Sequence, residues 1–146
     1  MERDLSSPSM ETFFSILEVL GVTPEQFFSQ QPLEQKIVYN EEESTLYYDE
    51  EHGYELKWLI PASNEKEMEP VIITFDKNGE YKTFEPSLSE TFIYVIDGSI
   101  RLTLGEATYI AKKGQTMYYQ ATEPHQISNN GRGKSRALIV ATESYL

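Results

Sequence analysis

The chain has 146 residues and no cysteine, with 24 acidic against 12 basic side chains and a net charge of −12. That length makes one ordinary domain with at most a small appendage, and the missing cysteines exclude disulfides, thiolate metal sites and a thiol nucleophile. A surface this acidic repels phosphate, so the chain alone is a poor nucleic-acid binder that would tolerate or attract a cation.

Residues 1–30 carry five acids and one base and read as helix. Met10, Phe13, Phe14, Leu17 and Leu20 recur at helical spacing behind a Ser9 cap, and Gly21 stands where a left-handed C-cap belongs. Thr23-Pro24-Glu25-Gln26 opens a second short helix with a capping box, and Phe27 and Phe28 give it an apolar face. Neither helix can bury its face alone. Residues 31–35 read as a linker after Gln30-Gln31-Pro32.

From Lys36 to Leu146 the period changes to two and the expected class is all-β. Strands are expected at Lys36–Tyr39, Thr45–Tyr48, Tyr54–Ile60, Pro70–Phe75, Thr91–Ile96, Ser99–Leu104, Ala107–Ala111, Thr116–Tyr119, His125–Ser128 and Ser135–Ala141. Asp97-Gly98 and Asn130-Gly131 are tight-turn dipeptides in which glycine accepts a positive φ. Many short strands at this spacing make a sandwich or barrel. Residues 31–70 hold eleven acids and three bases, concentrated in Glu41-Glu42-Glu43 and Asp49-Glu50-Glu51. These runs fit solvated loops and strand edges, or a funnel for a polycation. The longest apolar runs, such as Phe92–Ile96, are too short to span a membrane as helix. The polar start Met1-Glu-Arg-Asp4 does not read as a signal peptide, so a cytoplasmic protein is expected.

Thr91-Phe-Ile-Tyr-Val-Ile-Asp-Gly98-Ser-Ile-Arg-Leu-Thr-Leu-Gly105 resembles the end of the first cupin motif and its hairpin. Lys112 to Asn129, ending in Pro124-His125-Gln-Ile-Ser-Asn129, resembles the second motif. Residues 2–28 resemble the C-terminal part of a lambda-repressor-like (Xre-type) helix-turn-helix domain. Together the pieces resemble a bacterial regulator with a DNA-binding domain and a cupin sensor, in the subgroup that includes putrescine-responsive repressors. The resemblance implies a cupin double-stranded β-helix (a jelly-roll barrel) at 36–146, preceded by two short helices from an incomplete helix-turn-helix domain. It implies a homodimer, a small-molecule effector, and contact with DNA only through the part of the helix-turn-helix domain that is missing. A misplaced gene start, a truncation and a natural relative deficient in DNA binding each account for the missing helices.

Cupin enzymes hold a metal with two His and a Glu from the first motif and a His from the second. Counting back from Gly98, the resemblance puts these positions at Glu85, Ser87 and Thr91, or Glu90 with a one-residue slip, and His125 matches in the second motif. Ser and Thr are poor donors for a transition metal, so no resident metal, cofactor or catalytic residue is expected. His125 then reads either as an interior histidine satisfied by hydrogen bonds or as a ligand contact, and it could sense pH. Alternation places Glu85, Ser87, Thr91, Ile93 and Val95 on one inner face near His125. Tyr94, Tyr118, Tyr119 and Trp58 are aromatic candidates, in the pocket or in the core. A polyamine needs spaced carboxylates and aromatic faces; Glu69, Glu85 and Glu90 flank the barrel strands. The candidate ligand site is therefore His125, Glu85, Glu90, Ser87, Thr91, Ile93, Tyr94, Trp58 and Tyr119. The alternatives are a small metal-dependent cupin enzyme, such as an isomerase or dioxygenase, and a free-standing module that dimerises with full-length regulators.

Overall fold

The structure, a computed structural model, describes residues 35–143 and 146. The helices expected at 9–20 and 23–28, and residues 31–34 of the linker, lie outside the described residues. Tyr39–Leu146 is one compact unit.

Among the described residues nine strands run β1 Thr45–Asp49, β2 Tyr54–Trp58, β3 Met68–Phe75, β4 Glu90–Asp97, β5 Ser99–Leu104, β6 Ala107–Lys112, β7 Thr116–Gln120, β8 His125–Asn129 and β9 Ser135–Thr142. They form a six-stranded sheet in the order β1-β2-β3-β9-β4-β7 and a three-stranded sheet β6-β5-β8. Every pairing between these strands is antiparallel. This is the cupin double-stranded β-helix.

Alternation builds the core. In β3 the positions Glu69, Val71, Ile73 and Phe75 are buried while their neighbours are not, and β9 buries Ser135, Ala137, Ile139 and Ala141 in the same rhythm. From the smaller sheet come Ile100, Leu102 and Ile127, each at most 2% exposed. Burying an aliphatic or aromatic side chain of this size contributes roughly 1.5–3 kcal/mol.

Nine of the ten expected strands are present, most shifted by one or two residues. The tenth, Lys36–Tyr39, is not a strand. Ile37 and Val38 are 71% and 76% exposed and belong to none of the ladders among the described residues. The acidic run Glu41–Glu43 is a 3₁₀ turn closed by a capping box on Asn40, and Glu41 pairs with Lys57.

Gly98 joins β4 to β5 with a φ of +78°, as expected, and a Cβ there would lie 2.1 Å from Ser135 Oγ. Gly131 differs from expectation, because it is not in the left-handed region. What it supplies is room and a donor. A Cβ would come within 3.0 Å of Ser135 Oγ, and its N–H donates to Asn129 Oδ1 at 2.7 Å.

Candidate ligand-binding site

The register lines up the inward side chains of the larger sheet in rows. Leu56, Ile73, Ala137 and Val95 form one row, and Trp58, Val71, Ile139, Ile93 and Met117 the next. The row after that changes character: Glu69, Ala141, Thr91 and Tyr119, across β3, β9, β4 and β7. Buried Ser89 and Ser63 adjoin this end of the barrel, and Glu69, Thr91, Ser89 and Ser63 are all 5% exposed or less. This end of the interior is thus lined with a carboxylate and hydroxyls, while Ser135 and Asn129 are the buried polar side chains at the opposite end.

His125 reaches the same region from the smaller sheet. It is 1% exposed, stacked on Phe84 at 5.3 Å and edge-on to Tyr119 at 5.9 Å between ring centres. Its Nδ1 lies 2.9 Å from the Glu123 carbonyl. A carbonyl only accepts, so Nδ1 carries a proton and donates to it.

Glu69 is held at one oxygen. Ser63 Oγ donates to its Oε2 at 3.0 Å, while Oε1 is enclosed and meets no donor among the described residues. A solvent-open hollow of about 310 Å³ lies outside this end, lined by Trp58, Ser63 and Glu69 among others. At the other end of the row a groove of about 460 Å³ runs between the edges of β6 and β7, lined by Leu102, Leu104, Tyr109, Met117, Tyr118 and Tyr119.

The structure brings Thr91, Ile93, Tyr119 and His125 inward and places Trp58, half-buried, on the hollow beside Glu69. Ser87 is half-buried and accepts a hydrogen bond from the Ser89 N–H at 3.1 Å. Glu85, Glu90 and Tyr94 are exposed. In β4 the odd-numbered positions face inward, so Glu90 and Tyr94 point out by one residue. Glu90 accepts a hydrogen bond from Tyr118, whose hydroxyl is thereby held protonated above its ordinary range. Counting back from Thr91 to Glu85 fails for a different reason. β4 begins only at Glu90, and the preceding segment touches β8 through isolated bridges at Glu80–Ser128 and Phe84–His125. By Phe84 the inward phase has moved to the other parity. Ser89 and Ser63 are buried residues that sequence reasoning missed, and Glu69 was named among the flanking carboxylates but not placed in the site. For Glu69 a signal existed, since it shares parity with Val71, Ile73 and Phe75.

A metal of the cupin kind does not fit these side chains. Of the four positions, His125 offers a nitrogen, Thr91 and Ser87 offer hydroxyls, and Glu85 sits on the outside. Among the described residues no three His, Cys, Asp or Glu side chains converge as a metal site would require.

The fold is a cupin-type β-barrel with a cluster of buried polar side chains at one end. Residues 72–141 match the family described as Cupin domain. Over 144 residues the chain is 24% identical to the HTH-type transcriptional regulator PuuR of Escherichia coli (strain K12), covering 97% of this chain and 77% of that protein. Among solved structures, the HTH_3 family transcriptional regulator from Vibrio cholerae superposes with a TM-score of 0.57 at 16% identity, over 90% of this chain and 70% of that one. The polyketide cyclase RemF from Streptomyces resistomycificus superposes with a TM-score of 0.58 at 20% identity, over 75% and 81%. These two structural likenesses, one to a regulator and one to an enzyme, establish the fold and nothing further.

Proposed function

We propose that this chain is the ligand-sensing part of a transcriptional regulator, taking a small cationic metabolite, with polyamines as the first candidates, into the polar end of its barrel. The chain acts as a homodimer and is not an enzyme. It engages DNA only with a recognition helix supplied from outside these residues, since its charge of −12 opposes phosphate.

The observation that carries the reading is the span of the likeness to a regulator. It covers 97% of the chain rather than the barrel alone, so it takes in the N-terminal segment that resembles part of a helix-turn-helix domain. The barrel chemistry supports a ligand. Buried hydroxyls, a carboxyl and an imidazole gathered at one end of the barrel give it the side chains with which a polar ligand is recognised.

The test is a thermal-shift series with putrescine, spermidine, basic amino acids and neutral metabolites. A ligand that binds only the folded state, present at a hundred times its Kd, adds about 2.7 kcal/mol, or roughly 10 °C in a domain of this size. A saturable rise of that order with a cationic metabolite is expected. No rise with any of these compounds would sink the sensor reading.

A further inference from the structure

We infer that Leu146 is a built-in plug of the barrel. Held by the Tyr81 hydroxyl, at the end of the run of rings that includes His125, it fills space that a ligand would enter, and the ligand binds by displacing it. This rests on the reading of the barrel as a ligand chamber and adds how that chamber is regulated.

The inference starts from the way the chain leaves its last strand. β9 is antiparallel to β3 and β4 and ends at Thr142, opposite Met68 and one residue past the row of Glu69, Ala141, Thr91 and Tyr119. A chain that kept this direction would pass out of the polar end into solvent. Instead Glu143 takes a φ of +60°, in the left-handed region that residues other than Gly, Asn and Asp rarely enter. Leu146 is half-buried and packs against the core cluster. Its main-chain oxygen accepts from the Tyr81 hydroxyl at 3.0 Å. The chain has therefore turned back from the polar end towards the interior.

Tyr81 ties this contact to the candidate site. It is 2% exposed and lies edge-on to Phe84 with ring centres 5.2 Å apart, and Phe84 in turn stacks on His125 at 5.3 Å. The Tyr81 backbone is fixed to β8, its N–H donating to the Ile127 carbonyl at 2.9 Å and its carbonyl accepting from Gln126 Nε2 at 2.7 Å. The hydroxyl is thus a positioned donor, and the group it holds is joined to β9 by only a few residues. One hydrogen bond and one half-buried leucine, set against a left-handed Glu143, make a contact suited to exchange. A ligand that needs the same space binds only the fraction of molecules in which the plug is out. A plug seated in about nine molecules of ten weakens the apparent affinity about tenfold.

The experiment follows the Leu146 methyl resonances of the full chain by NMR. It also measures binding of each compound of the thermal-shift series, putrescine and spermidine first, to wild type, Tyr81→Phe and a chain shortened after Thr142. In the free wild type the methyls should stand away from random-coil positions. Tyr81→Phe, which removes the hydroxyl and keeps the ring, should move them towards those positions, and a saturating ligand should bring them there fully. The shortened chain should bind about tenfold more tightly and Tyr81→Phe about threefold. Tyr81→Phe added to the shortened chain should change nothing further, which separates a residue acting through the plug from one touching the ligand. Tyr81→Phe also keeps the test decisive if the shortened chain fails to fold. Leu146 methyls at random-coil positions in the free chain would overturn the plug. A ligand that binds wild type and shortened chain equally, leaving the methyls in place, would overturn it too and leave the sensor reading standing. So would a Tyr81→Phe effect of the same size with and without residues 143–146. Binding of no compound to either chain would end both readings.

Discussion

Asp49 and His52 close the turn between β1 and β2, with His52 Nδ1 2.9 Å from Asp49 Oδ2 and the His52 N–H on Asp49 Oδ1 at 3.0 Å. These bonds lower the Asp49 carboxyl below its ordinary 3.8. The side-chain bond to Asp49 raises His52 above 6.5. The raised imidazole contributes stability that is complete below about pH 6.5 and lost as pH climbs through the folded value. The lowered carboxyl contributes above about pH 3.8 and stops as pH falls through its own folded value. An imidazole proton titration by NMR should show His52 above 6.5 in the wild type and moving down towards it in Asp49→Asn. An unchanged midpoint would mean the pair does not form in solution. Tyr54, at the start of β2, is pushed up to about 12 by its burial first and by the charge of Asp49 second. Glu69 and Glu90 show the other influence on a single residue. Both are glutamates at or near the start of a strand, and parity alone puts one in the barrel and the other on its outside.

At the scale of elements, the link from β8 to β9 depends on one side chain. Asn129 Nδ2 donates to the carbonyls of Asp76 and Gly133 at 2.8 Å each, and its Oδ1 accepts from the Gly131 N–H at 2.7 Å and from Ser135 Oγ at 2.8 Å. This ties the end of β8, the start of β9 and the turn after β3 into one knot, and explains physically why an Asn closes the Pro-His-x-x-x-Asn segment. Asn129→Ala removes four hydrogen bonds at once and strands the buried Ser135 hydroxyl and two half-buried backbone groups, of Asp76 and Gly131. It should cost about 3 kcal/mol, seen as a lower urea midpoint at unchanged slope. A loss under about 1 kcal/mol would show that water replaces these bonds. Strand positions were legible because the buried strands alternate with little interruption. The 3₁₀ turns at Glu41–Glu43 and Ser63–Glu65 were not legible, since three residues carry no period and their conformation follows from caps and contacts.

For the whole molecule, the outward face of the larger sheet bears on assembly. Pro70, Val140, Phe92 and Tyr118 form one row across it, and Ile72, Leu138 and Tyr94 the next. An antiparallel sheet that faced only water there would carry polar residues. Phe13, Phe14, Leu17, Phe27 and Phe28 of the N-terminal segment, outside the described residues, add a second apolar set in the sequence. A two-fold contact is the commonest cover for such surfaces. Light scattering at micromolar concentration should return twice the chain mass. A monomer would refute the homodimer and leave the ligand site untouched, because Glu69, Thr91, Tyr119 and His125 all belong to one chain.

The sequence by itself determined the class of fold, nine of the strands and the inward place of Thr91, Ile93 and His125, while which tyrosine points inward was decided by the pairing of β4 with β7. These follow from local rules: a period of two, turn residues with fixed demands, and motifs whose spacing reflects hairpin geometry. Parity already set Glu69 on the inward face of β3 and Glu90 on the outward face of β4, and only the tertiary structure decided that Glu85 lies outside as well. Their environments differ because β3 and β4 are cross-linked through β9 in one register, while the segment before β4 leaves the wall of the barrel. A row such as Glu69, Ala141, Thr91 and Tyr119 joins residues far apart in sequence. No local pattern encodes it, since it exists only once four strands have paired.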